Sequence, residues 1–108
     1  MSSNENLVKT LIDCARVCKM CAASCLEEGN IEMLSDCIKT DLDCATICLA
    51  TAELLQRNSK IAQRQIEVCA EICRLCAEEC EKHAGNMKHC KVCAETCRAC
   101  EEECLAHV

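Results

Sequence analysis

Cys69-Ala-Glu-Ile-Cys73-Arg-Leu-Cys76-Ala-Glu-Glu-Cys80 places four cysteines in twelve residues, at steps of four, three and four. Those steps bring side chains to one face of an α-helix, where a helical core ordinarily carries leucine. The pattern recurs. Cys14-Ala-Arg-Val-Cys18-Lys-Met-Cys21-Ala-Ala-Ser-Cys25 is one copy and Cys93-Ala-Glu-Thr-Cys97-Arg-Ala-Cys100-Glu-Glu-Glu-Cys104 another. A degenerate copy, Cys44-Ala-Thr-Ile-Cys48-Leu-Ala-Thr51-Ala-Glu-Leu-Leu55, lies between them. All align without a gap on C-A-x-x-C-x-x-[CT]-x-x-x-[CL]. Four units at irregular intervals suit a closed bundle better than a solenoid.

The same face continues beyond the cysteines. It runs Leu7, Leu11, Cys14, Cys18, Cys21, Cys25, then Leu34, Cys37, Asp41, Cys44, Cys48, Thr51, Leu55. A third run is Ala62, Ile66, Cys69, Cys73, Cys76, Cys80, His83, Met87, and a fourth is Cys90, Cys93, Cys97, Cys100, Cys104, His107. Each is the inward seam of a packed bundle. Helices are expected at about 4–28, 31–56, 60–84 and 87–106. Gly29 and Gly85 stand where C-caps belong, each followed by an N-capping Asn (Asn30, Asn86). Ser2 with Glu5 fits a capping box, and Arg57-Asn58-Ser59 separates the middle helices. Connections this short favour antiparallel neighbours. The expected fold is all-α, an up-down-up-down four-helix bundle with a Cys-lined core, built as one domain over residues 1–108.

Composition agrees. The chain has 108 residues, no Pro, two Gly and no Phe, Trp or Tyr. Its 16 Cys are the commonest apolar-class residue, so thiols must fill much of the interior. The net charge of −6, dispersed bases and missing aromatics argue against a nucleic-acid partner. No apolar run approaches the roughly 20 residues that span a bilayer. The N-terminal stretch lacks the apolar segment of a secretory signal. A cytoplasmic location follows, where thiols stay reduced, and cysteine usage then points to metal rather than disulfides.

Cys is a small hydrophobe, but a bundle that needed only volume would use Leu, which buries more apolar area per position. Residues at i and i+4 have Cβ atoms roughly 5–6 Å apart, so two sulfurs can converge on one soft cation. The pairs are 14/18, 21/25, 44/48, 69/73, 76/80, 93/97 and 100/104, leaving Cys37 and Cys90 over. Thiolates select Cu(I), Zn(II) or iron–sulfur clusters. Zinc wants closed sets of four ligands, and the wall of thiols offers no obvious division into fours. The C-x2-C-x2-C spacing of iron–sulfur loops is absent. Cu(I) is satisfied by two or three bridging sulfurs. Cu(I) binding by many thiolates is thus favoured over a Zn(II) or general soft-metal buffer, and a thiol-redox protein comes third, since no βαβ pattern surrounds a C-x-x-C. No nucleophile–base pair reads as an active site, so the protein is expected to bind rather than catalyse.

The two ends differ. Antiparallel threading collects Cys25, Met33, Cys37, His83, Met87, His89 and Cys90 at one, all possible Cu(I) ligands. Leu7, Leu11, Leu55 and Ile66 plug the other, with His107 read as a frayed terminal residue. Metal is expected to enter at the His/Met end. Asp41 is a lone carboxylate on the seam, placed to bond a neighbouring thiol or Thr, to sit at the solvated rim or, less favoured, to serve as a metal ligand. A second apolar stripe beside the cysteines (Val8, Ile12, Ala15, Ala22, Leu26; Ile38, Leu42, Ala45, Leu49, Ala52; Val68, Ile72, Leu75) predicts a homo-oligomer.

The chain resembles the copper storage proteins, most closely their cytosolic branch, along essentially its whole length. The most specific piece is Leu34-Ser-Asp-Cys37-Ile-Lys-Thr-Asp41-Leu-Asp-Cys44-Ala-Thr-Ile-Cys48, joined to the CxxxC pairs and the His-bearing segment before Cys90. The resemblance implies Cu(I) held by all 16 cysteines, entry past His83 and His89, and assembly as a tetramer. Where some relatives have a His-rich loop, this chain has Ala84-Gly-Asn-Met87-Lys, so Met87 takes part of that role.

Overall fold

The computed structural model describes residues 3–108. Four helices follow one another, α1 (Ser3–Leu26), α2 (Ile31–Gln56), α3 (Ala62–Glu81) and α4 (Lys88–Leu105). Each existing helix lies within about three residues of its expected span. Backbones pack α1 on α2, α2 on α3, α3 on α4 and α4 on α1, while α1/α3 and α2/α4 face each other across the axis. That is the up-down-up-down bundle. The particle measures 43 × 19 × 18 Å, and its long axis matches α1, whose 24 residues rise about 36 Å at 1.5 Å each.

The repeated motif builds this packing with two positions. Its cysteines point to the axis. The alanine after each leading cysteine (Ala15, Ala45, Ala70, Ala94) is buried at 6 % exposure or less, as are Ala22 and Ala77. A methyl at these places lets neighbouring backbones approach closely enough for thiols, shorter than leucine, to meet across the axis. Only the alanines of the expected outer stripe are absorbed in this way: Ala15, Ala22, Ala45 and Ala52 are buried. Ile12, Leu26, Leu42, Val68 and Leu75 remain 40 % exposed or more.

The caps differ from expectation. Neither glycine adopts positive φ, and the one non-glycine residue that does among the described residues is Asn58, at 53°. Ser59 N–H donates to Leu54 O (2.9 Å) and Asn58 N–H to Leu55 O (3.2 Å). This is a Schellman closure of α2 with Asn in the left-handed position. The end of α1 is closed instead by short-range bonds, Glu27 to Ser24 and Glu28 to Cys25, both 3.1 Å. Asn30 precedes α2 without a side-chain cap bond. At α4 the capping position belongs to Met87, in extended backbone, not to Asn86, because the turn after α3 runs through Met87, whose N–H still bonds His83 O at 3.0 Å. The Ser2–Glu5 box falls outside the described residues.

Candidate metal centre

All 16 cysteines are free and buried, none more than 1 % exposed. Their sulfurs form a continuous column. Within helices, Cys44/Cys48 and Cys93/Cys97 stand at 3.9 Å. The shortest separations run between helices: Cys18–Cys97 3.6 Å, Cys37–Cys80 3.6 Å and Cys48–Cys69 3.7 Å. Even the diagonal is bridged, Cys18 on α1 meeting Cys76 on α3 at 4.0 Å. The two cysteines outside the CxxxC pairs are part of the column, Cys37 beside Cys80 and Cys90 within 4.0 Å of Cys25.

Ligand atoms within 4.8 Å of one another fall into fours. Cys14/Cys44/Cys48/Cys73 and Cys14/Cys18/Cys44/Cys97 share two members, and Cys18/Cys76/Cys93/Cys97 shares two with the latter. Nearer the His end lie Cys21/Cys25/Cys37/Cys90 and Cys21/Cys37/Asp41/Cys80. Because these quartets overlap, the wall of thiols does not divide into separate fours, as expected. A thiolate common to two quartets suits a bridging ligand between monovalent ions. It suits separate tetrahedral zinc sites poorly, since each of those needs four thiolates of its own.

Asp41 sits inside this column at 0 % exposure, away from any solvated rim. Its Oδ1 accepts from the thiols of Cys76 (3.1 Å) and Cys93 (3.2 Å), and more distantly from Cys80 (3.6 Å). Burial is the main cause that pushes its carboxyl up to about 8. Thr51, the cysteine substitute in the degenerate repeat, is equally buried and satisfies its hydroxyl on Ile47 O at 2.7 Å. With Leu7, Leu11, Leu55 and Ile66, all 7 % exposed or less, it ends the thiol column.

At the other end His89 Nε2 lies 3.4 Å from Cys25 Sγ. Burial is the main cause that pushes the Cys25 thiol up to about 11 and raises Cys90 as well. His83 Nε2 is the one buried side-chain nitrogen or oxygen without a hydrogen-bond partner among the described residues; Glu79 Oε2 is 3.8 Å away. An unpaired buried ring nitrogen carries a desolvation cost that a metal ion would relieve. Met87 is half-buried against the core cluster. Of the sequence-predicted His83, Met87, His89 set, His89 stands beside Cys25 and Met87 carries the carbonyl that accepts from Cys90 N–H, while His83 faces Glu79. Met33 is 52 % exposed, because the inward seam of α2 starts at Leu34. His107 is not frayed. Its Nδ1–H donates to Glu103 O at 2.9 Å, and Gln63 Nε2 donates to its carbonyl at 2.6 Å. Met20, unnoticed in the sequence, lies beside the His89 end; its only sequence signal is a thioether next to Cys21.

Residues 1–108 match the family model described as copper storage protein. An uncharacterised cysteine-rich protein of Bacillus subtilis, YhjQ, is 38% identical over 88 residues, 82% of this chain and 80% of its own. A structure of a cytosolic copper storage protein from Streptomyces lividans, loaded with five coppers, is 39% identical with TM-score 0.93 over 96% of this chain and 90% of that one. The apo form of copper storage protein 3 from Bacillus subtilis is 37% identical with TM-score 0.88 over 95% and 96%.

Proposed function

The chain belongs to the copper storage protein family, and on that premise we propose which atoms hold its cargo. It binds and stores Cu(I), many ions per chain, in a cysteine-filled four-helix bundle. We read residues 1–108 as one storage domain acting by binding, not turnover. The ligands are Cys14, Cys18, Cys21, Cys25, Cys37, Cys44, Cys48, Cys69, Cys73, Cys76, Cys80, Cys90, Cys93, Cys97, Cys100 and Cys104. His83, Met87 and His89 form the entrance. The single observation that carries this reading is the overlap of the thiol quartets along the axis. The described residues include no helix long and apolar enough to cross a membrane, and the Streptomyces relative is cytosolic; the protein works in the cytoplasm. The exposed Ile12, Leu26, Leu42, Val68 and Leu75 support a homo-oligomer, a tetramer by resemblance to the family.

Charge sets the capacity. A thiol that exchanges H⁺ for Cu⁺ leaves the interior neutral, whereas one ion per two thiolates buries net negative charge, which is costly. Filling is expected to be cooperative and to end near one Cu(I) per cysteine, about 16. Anaerobic Cu(I) titration against a chelator measures the endpoint. A stop near half that value overturns the charge balance, and displacement of Cu(I) by equimolar Zn(II) overturns the copper reading itself. Replacing His83, Met87 and His89 together by Ala should slow loading while leaving the endpoint unchanged. Unchanged rates would remove them from the entrance.

A further inference from the structure

A groove between α1 and α4, of about 470 Å³, opens beside the His89 end, lined by Arg16, Met20, Cys21, Ser24, Lys88 and His89. Its volume is that of a small-molecule site. Two features mark it, the first shared with the groove around Lys60 at the Leu end, which no carboxylate lines either, and the second its own. The first is charge. No carboxylate lines it, although the chain carries 18 acidic residues and a net charge of −6, and Lys88 is exposed with no ion-pair partner among the described residues. Arg16 spans from Asp13 Oδ1 (2.7 Å) to Met20 Sδ, where its Nη1 lies at 3.2 Å, and so holds a 57 % exposed thioether in place. The second is what the wall contains. Cys21 belongs to the Cys21/Cys25/Cys37/Cys90 quartet, and His89 reaches Cys25 at 3.4 Å. A path of soft donors therefore leads from the surface thioether to the first thiol quartet.

We propose that this groove docks a small anionic thiol complex of Cu(I) and hands its ion to the Cys21/Cys25/Cys37/Cys90 group. The proposal rests on the storage reading and adds the class of carrier and where it binds. The carrier's carboxylates would meet Lys88 first and Arg16 only through the donors that its Asp13 pair leaves over, and its carbon chain would lie against Val17 and Val92. Transfer is a ligand exchange at constant oxidation state. A Cu–S bond to Cys21 or Cys25 forms as a Cu–S bond to the carrier breaks, and the proton of the protein thiol goes to the departing thiolate.

Two carriers with the same donor atom and opposite charge test it. Stopped-flow loading is followed from Cu(I)–glutathione, whose complex is net negative at neutral pH, and from Cu(I)–cysteamine, net positive. Wild-type protein should load faster from the glutathione complex, with a rate that falls as salt rises. The Arg16→Gln/Lys88→Glu double variant should lose about tenfold of that rate at low ionic strength, the scale of electrostatic steering, and gain rate from cysteamine. Val92→Phe, at a 43 % exposed position in the groove, should slow glutathione loading; Val68→Phe, 47 % exposed between α2 and α3, should not. Equal rates for the two carriers, or no response to charge reversal, overturn the proposal. A charge response with no Val92 effect overturns the groove as its place, and fast loading only from a protein carrier overturns the small-molecule carrier. The same traces report the final copper content, so a failure of storage itself is read separately.

Discussion

At the scale of single residues, Asp41 shows most clearly how the thiol column differs from an ordinary core. A carboxyl with four cysteine neighbours and no cation is stable inside only when neutral, hence its rise to about 8 from an ordinary 3.8. The unfolded chain loses that proton near pH 4 and the folded one keeps it until about pH 8. Between these values the folded state binds more protons, so apo stability falls as pH rises, by at most about 1.4 kcal/mol per pH unit. The Asp41 contribution is complete below pH 4 and gone above pH 8. Urea midpoints of reduced apo-protein between pH 5 and 7.5, below the thiol range, should therefore decline. Asp41→Asn, which cannot ionise, should flatten that decline, and an equal slope in the variant would show that Asp41 is ionised when folded. The sequence placed Asp41 on the seam because the three-and-four step runs through it. It could not decide between rim and interior, since depth along a bundle depends on how far neighbouring helices overlap. Only the assembled helices reveal Cys76 from α3 and Cys93 from α4 converging on one oxygen.

At the scale of elements, helices were legible and their ends were not. Cys at steps of three and four fixes a helix and its buried face without reference to any neighbour. A cap depends on which backbone carbonyls the chain can still reach as it leaves, and both Asn and Gly are compatible with the left-handed turn. Here the Leu54 and Leu55 carbonyls are met by Ser59 and Asn58, so Asn58 takes that position while Gly29 and Gly85 serve ordinary turns. A Cβ built on either glycine meets nothing within 4 Å. Gly29→Ala and Gly85→Ala should therefore keep or raise stability, by about 0.4–1 kcal/mol through a stiffer unfolded chain. Asn58→Ala should cost up to about 1 kcal/mol, because Ala keeps the Cβ at positive φ but lacks the short polar side chain that lets Asn tolerate that region. Thermal melts of the three apo variants check the order. Loss of stability at either glycine, or none at Asn58, would contradict the observed caps. The plug obeys the same element logic. Leu7 and Leu11 are fully buried one turn apart on α1, and each truncation to Ala should cost about 2–5 kcal/mol while leaving all 16 thiols in place.

At the scale of the whole molecule, the outer surface carries a question that the interior does not answer. The sequence stripe suggested a broad apolar face, but its alanines are spent on helix–helix seams inside one chain. Periodicity alone cannot tell a position flanking the core from one facing out, because both lie within one or two steps of the seam. What survives is a set of larger side chains: Ile12 and Leu26 on α1, Leu42 on α2, Val68 and Leu75 on α3. Val68 and Leu75 border the groove between α2 and α3, together with Ile47 and Ile72. Several large exposed apolar side chains on one domain favour an association site, here with Asp43 and Glu71 bordering the α2/α3 groove, and a second copy of the chain supplies the same side chains. Sedimentation of apo and copper-loaded protein should therefore give an assembly larger than a monomer in both states, because the copper column lies inside each bundle and the stripe outside it. Leu42→Glu with Leu75→Glu places carboxylates at two exposed positions. It should shift the assembly towards monomer without altering the helical content of the apo-protein or the copper endpoint. A wild-type monomer in both states would refute association. A double variant that keeps its full size would move the interface to the other exposed residues, Ile12 and Leu26 on α1.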